Sequence, residues 1–209
     1  VGKEASFYCL RHALPAITQE ILIEQINGIK YGEQQSYLSP EQMFEETAIY
    51  EAGRAVVSKI LMPHVHIEYV SLTPRNNNER FVSHTYKDVQ DNMTVKDFKD
   101  KICVSLAGRT TQIKLFGNVE GVDTGASNDL QQATRDAYAA IAHHGMDEDV
   151  GYININGVMD AKGNSIANRN TKHYHLKIDT ALEKWMLEGE KRTVKLVNEN
   201  WKIIENLSK

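Results

Sequence analysis

Tyr50, Glu51 and Arg54 carry the most chemically loaded spacing in this chain. They fall within a long stretch of helical periodicity, where residues four apart project from one face. Tyr50 and Arg54 therefore stand one turn apart, with Glu51 beside them. Glu51 is a candidate general base. Its neighbours are unsuited to holding a metal for it: a phenol is a poor neutral ligand, and a guanidinium is always charged and has no lone pair to offer. Arg54 does supply a fixed positive charge with paired donors suited to a carboxylate. The plainer reading makes Arg54 a surface arginine on an exposed helix.

Other titratable groups read as structural. His64 and His66, two apart on an expected strand, could point to one side and bind metal beside a carboxylate, but the plainer reading is structural or solvent-exposed histidines. His143 and His144 sit at a helix end, where an imidazolium suits the negative end of the dipole. His173 and His175 read as surface, and Asp147-Glu148-Asp149 as a solvated turn without calcium-loop spacing. Cys9 and Cys103 are isolated, which argues against a disulfide framework and fits a reducing compartment; Cys103 reads as a small core residue.

The elements that must position these groups are mostly helices. Residues 1–37 predict a helical hairpin: Ala5 to Leu14 stopped by Pro15, then a helix capped by Thr18, striped by Leu22, Ile26 and Ile29, and ended near Gly32. Ser39-Pro40-Glu41-Gln42 reads as a capped start for the helix bearing Tyr50, which Pro63 stops after Met62. Its expected buried stripe is Phe44, Ala48, Ala52, Ala55, Val56 and Ile60. Two strands follow, Val65 to Thr73 and Phe81 to Tyr86, around a loop at Asn76-Asn77-Asn78. Thr94 opens a third long helix through Phe98, Ile102 and Leu106 towards Phe116, and a fourth ends at Gly145. Residues 151–175 read as irregular, with a terminal helical stretch from Ile178 that buries Leu182, Trp185, Met186, Val197, Trp201 and Ile204.

The expected class is mainly α with a small β-sheet. With 25% charged and 41% apolar residues, the 209-residue chain has an ordinary globular balance. A net charge of -4 and no basic cluster give nucleic-acid binding no electrostatic support. No run of about 18 apolar residues occurs, so nothing in the sequence reads as membrane-spanning. The start at Val1, without methionine or leader, reads as a piece of a longer protein.

Order and spacing over nearly the whole chain resemble the FtsH family of membrane-anchored AAA+ zinc proteases. Tyr50-Glu51-Ala52-Gly53-Arg54 resembles the family's His-Glu-Ala-Gly-His helix, in which two histidines hold zinc and the glutamate activates water. Leu106-Ala107-Gly108-Arg109 resembles the Leu-(Ala/Gly)-Gly-Arg helix, with Thr110-Thr111-Gln112 where the family has Ala-Ala-Glu. Phe116-Gly117, Gly145-Met146 with Gly151, and Ile178-Asp179 also match. Thr124-Gly125-Ala126-Ser127-Asn128-Asp129-Leu130 is similar to the segment that supplies the third zinc ligand.

The resemblance implies an FtsH-like peptidase helical bundle over 38–209 and, over 1–37, the C-terminal end of an AAA+ lid. It implies a hexameric ring, homomeric or mixed, that handles unfolded polypeptide and is tethered by an N-terminal anchor outside this chain. The expected place is the cytoplasmic face of a bacterial inner membrane or an organelle equivalent. ATP and magnesium would belong to an AAA+ core this chain lacks, and zinc to the family's peptidase. Carried over by position, Glu51 is a vestigial base, and Tyr50, Arg54 and Asp129 occupy the ligand places. One carboxylate cannot hold zinc against bulk water, so no metal is expected here and proteolysis should be lost. Arg54 is expected to pair with Asp129, Glu51 or both. The alternative is an active metalloendopeptidase with a non-standard ligand set drawing on His64 or His66.

Overall fold

A computed structural model describes the backbone of residues 1–32, 41–72, 81–86, 92–155 and 171–209. Its elements run α1 (Gly2–Arg11), α2 (Gln19–Tyr31), α3 (Glu41–Leu61), β1 (Val65–Ser71), β2 (Phe81–Tyr86), α4 (Val95–Glu120), α5 (Ser127–Tyr138), a π-helical turn (Ala139–His143), α6 (Thr171–Glu199) and α7 (Trp201–Leu207). The fold is mainly α with one two-stranded antiparallel sheet. Val65 pairs with Tyr86 and Ser71 with Phe81, across an irregularity between Ile67 and Tyr69. The expected loop at Asn76–Asn78 and the cap at Ser39-Pro40-Gln42 lie outside the described backbone or side chains.

Local chemistry sets several ends. Thr94 accepts from the Asp97 amide while Asp97 accepts from the Thr94 amide, a reciprocal cap on α4. Thr18 caps α2 through the Ile21 amide at 3.4 Å. Helix α1 stops earlier than Pro15 requires. Ala13 takes a φ of 51°, and the Leu14 amide donates back to the Cys9 carbonyl at 2.9 Å, closing the turn at His12. The α2 stripe is left largely open: Ile29 is 60% exposed, and of α2 only Asn27 is buried.

The core has two parts that share α4. One gathers Ile49, Ala52 and Val57 of α3 with Cys103 and Ala107 of α4, Val197 of α6 and Ile204 of α7. The other gathers Phe98 and Ile102 of α4 with Ala133 and Ala137 of α5, Ile141, and Ile178 and Trp185 of α6. The middle of α3 is buried almost all round, from Thr47 to Ser58, rather than along one stripe. Its expected outer members Phe44 and Ile60 are exposed, at 41% and 42%.

Small residues let α3 and α4 cross closely. A methyl group on Gly53 would lie 2.3 Å from Thr111 Cγ2, too near to fit without a shift. The buried Thr111 hydroxyl reaches the Gly108 carbonyl at 2.6 Å and the Ile49 carbonyl at 3.1 Å, bonding one helix to the other. Further along, α6 begins at Thr171, seven residues before the expected Ile178, so His173 and His175 are exposed on a helix.

Candidate functional site

Two helices, α3 and α5, meet at one carboxylate. Tyr50 and Arg54 come from the buried middle of α3, one turn apart as their spacing requires, and Glu51 is beside them. Asp129 lies in the first turn of α5, where the helix dipole favours a negative charge. The Tyr50 hydroxyl donates to Asp129 Oδ2 at 2.5 Å. Arg54 Nη2 lies 3.3 Å from Asp129 Oδ1, and Arg54 Nη1 donates to Glu51 Oε2 at 3.2 Å. The guanidinium thus bridges two carboxylates by single contacts rather than gripping one with a paired fork. Its Nε is buried and makes no hydrogen bond among the described residues.

The site is partly closed to water. The side chain of Glu51 is 3% exposed, that of Arg54 16% and that of Asp129 19%. With Tyr50 neutral, two carboxylates and one guanidinium leave a formal charge of −1, each acid being within reach of the cation. Burial, the nearby Asp129 charge and the bond to it push the Tyr50 phenol far above its ordinary range, so it acts as a neutral donor.

The other candidate groups do not join this centre. His64 and His66 are exposed at the start of β1. Among the described residues, no group of three His, Cys, Asp or Glu is arranged to hold a metal ion. His144 lies against Phe98 with ring centroids 5.8 Å apart, and His143 meets Tyr138 edge-on. Cys103 is buried in the core, and that burial pushes its thiol up.

Asp147 is not the solvated residue its turn composition suggests. It is buried, accepts from the Asp149 and Val150 amides, and takes the Trp185 indole N–H at 2.8 Å. Glu148 and Asp149 do face water, and Asp149 pairs with Lys184. Sequence reasoning also missed the close approach of the Tyr50 ring to Gly108. Its signal was a glycine inside a helix that has no need of a bend there.

Comparison with known proteins places the chain in a family. The description "Peptidase family M41" matches residues 38–209. The chain is 30% identical over 189 residues, 87% of its length, to an ATP-dependent zinc metalloprotease FtsH 1 of Alkaliphilus metalliredigens. It is 28% identical over 211 residues, its whole length, to the mouse mitochondrial inner membrane m-AAA protease component AFG3L2, and 32% identical over 157 residues, 74% of its length, to the FtsH of Aquifex aeolicus. It spans 32%, 25% and 24% of those three proteins, respectively. Since the matched region takes in α3 to α7, and with them Tyr50, Glu51, Arg54 and Asp129, the chain belongs to peptidase family M41 and carries an FtsH-family peptidase domain.

Proposed function

We propose that this domain has lost peptide hydrolysis and serves as a polypeptide-handling scaffold in a ring of AAA+ subunits. The observation that supports this reading is the seat of Arg54, whose guanidinium touches both Glu51 and Asp129. A catalytic zinc site needs three protein ligands and one open position for water. Here one ligand place holds a phenol that donates its proton to Asp129, and another holds a permanent cation. Both Asp129 oxygens are engaged, so a dication would have to displace the guanidinium or share its space with a like charge. These residues do not fit zinc. Arg54 instead supplies the positive charge that one buried and one partly buried carboxylate require.

Glu51 then has no activated water to deprotonate. What the domain retains is a family shape that would dock against neighbouring subunits of a hexamer, homomeric or mixed. In a mixed ring, partners with an intact ligand set would do the cutting. ATP and magnesium would be used by an AAA+ core beyond these 209 residues, and a segment also beyond them would anchor the assembly to a membrane. The names of the relatives support that setting: several are ATP-dependent zinc metalloproteases, and the mouse protein is an inner-membrane component. The orientation proposed is the cytoplasmic face of a bacterial inner membrane or its organelle counterpart. Among the described residues no helix is long and apolar enough to cross a membrane.

The test is zinc analysis of the purified domain with casein digestion beside it. Substoichiometric zinc and no chelator-sensitive cleavage are expected. One zinc per chain with chelator-sensitive cleavage would establish the alternative, an active metalloendopeptidase with a non-standard ligand set. Measuring solution size separates a ring-forming scaffold from a monomeric adaptor.

A further inference from the structure

The Tyr50 ring leaves α3 and lies over Gly108 of α4. A Cβ at position 108 would stand 2.4 Å from the ring's Cε1 and Cζ and 2.6 Å from Cδ1, closer than real side-chain carbons come. The backbone at Gly108 is ordinary helix, so the glycine answers a need for space and not for an unusual conformation. A helix interior loses stability in holding glycine rather than alanine. Passing across this gap, the phenol reaches Asp129 on α5. Helix α5 packs mainly on α4 and α6, and the bonds from Tyr50 and Arg54 tie its first turn to α3 as well.

We infer that Gly108 is a positioning residue whose missing side chain seats the Tyr50 phenol on Asp129, making Tyr50 a metal-free strut that joins α3, α4 and the start of α5. The inference rests on the reading above, that no metal occupies this site, and adds how the three helices are held together without one. Gly108 and Tyr50 then form an energetic pair. Enlarging the first harms the protein only while the ring of the second is present.

The experiment compares the native domain with Gly108→Ala, Tyr50→Ala and the double variant, by denaturant midpoint and by amide hydrogen exchange across α5. Gly108→Ala should lower the midpoint and speed exchange in the first turn of α5 by about tenfold. In the Tyr50→Ala background the same change should be neutral or raise the midpoint, because the ring is gone and alanine favours helix. Equal losses in both backgrounds, or unchanged α5 protection in the single variant, would overturn the inference. Should Gly108→Ala not fold, Tyr50→Ala alone decides: its α5 exchange must rise, and unchanged exchange refutes the strut. Zinc analysis of the same samples keeps the two readings apart. Metal-free protein with additive effects sinks the strut alone, whereas stoichiometric zinc sinks the loss-of-hydrolysis reading beneath it.

Discussion

Replacing Arg54 by methionine keeps an apolar stem of similar reach and removes the guanidinium. Glu51 and Asp129 would then face each other without their shared cation, the first almost wholly buried. Breaking a buried ion pair from one side costs about 3–5 kcal/mol. The 16% exposure of Arg54 and its single contacts place the expected loss near the lower end, about 3 kcal/mol, or more than a hundredfold in the folded-to-unfolded ratio. The loss should also depend on pH. In the variant a buried carboxylate without a cation takes up a proton above the ordinary carboxylate range, and a raised folded pKa favours the folded state at low pH. The deficit should therefore be small in acid and grow as pH rises towards neutrality. Urea unfolding followed by circular dichroism at several pH values measures this, provided the denaturant slope is unchanged. A deficit below about 0.5 kcal/mol at every pH would mean that Arg54 is an ordinary surface arginine, and the charge argument would fail.

Four further outcomes rest on single contacts. Tyr50→Phe keeps the ring over Gly108 but removes the donor to Asp129, so urea unfolding should show a loss of about 2 kcal/mol, typical of a bond to a charged group. Trp185→Phe leaves the buried Asp147 Oδ2 without the indole N–H, and thermal unfolding should show a loss of about 2 kcal/mol. At the start of α4, Thr94→Ala should lose about 1 kcal/mol with the cap. Thr94 holds the Asp97 carboxyl below its usual value through its hydroxyl and backbone amide. Its contribution is present above the unfolded carboxylate pKa and fades as pH falls through the folded one. A stability-versus-pH series should show a shallower acid limb for Asp97→Asn.

Local chemistry made much of this fold legible. Thr18, Thr94, Pro63 and Gly145 mark helix ends because a cap or a stop acts within a few residues of itself. The helical spacing of Tyr50 and Arg54 puts both on one face, and that much needed no tertiary information. Burial was harder to read. Helix α3 is enclosed on nearly all sides through its middle, so no stripe describes it, and Ile49 and Val57 were passed over. Asp147 is buried by a tryptophan 38 residues away, which turn composition cannot register. The close of α1 was misplaced because Ala13 adopts a conformation that glycine usually takes. Gly108 stood inside a recognised motif, but its use depends on a ring arriving from another helix.

The measurement that bears most directly on the central claim is a calorimetric zinc titration of the purified domain, run beside the Tyr50→His, Arg54→His double variant. The account predicts no saturable zinc binding by the native chain and restored binding in the double variant, where two imidazoles rejoin Asp129. Tight one-to-one binding by the native chain, abolished by Asp129→Asn, would contradict it.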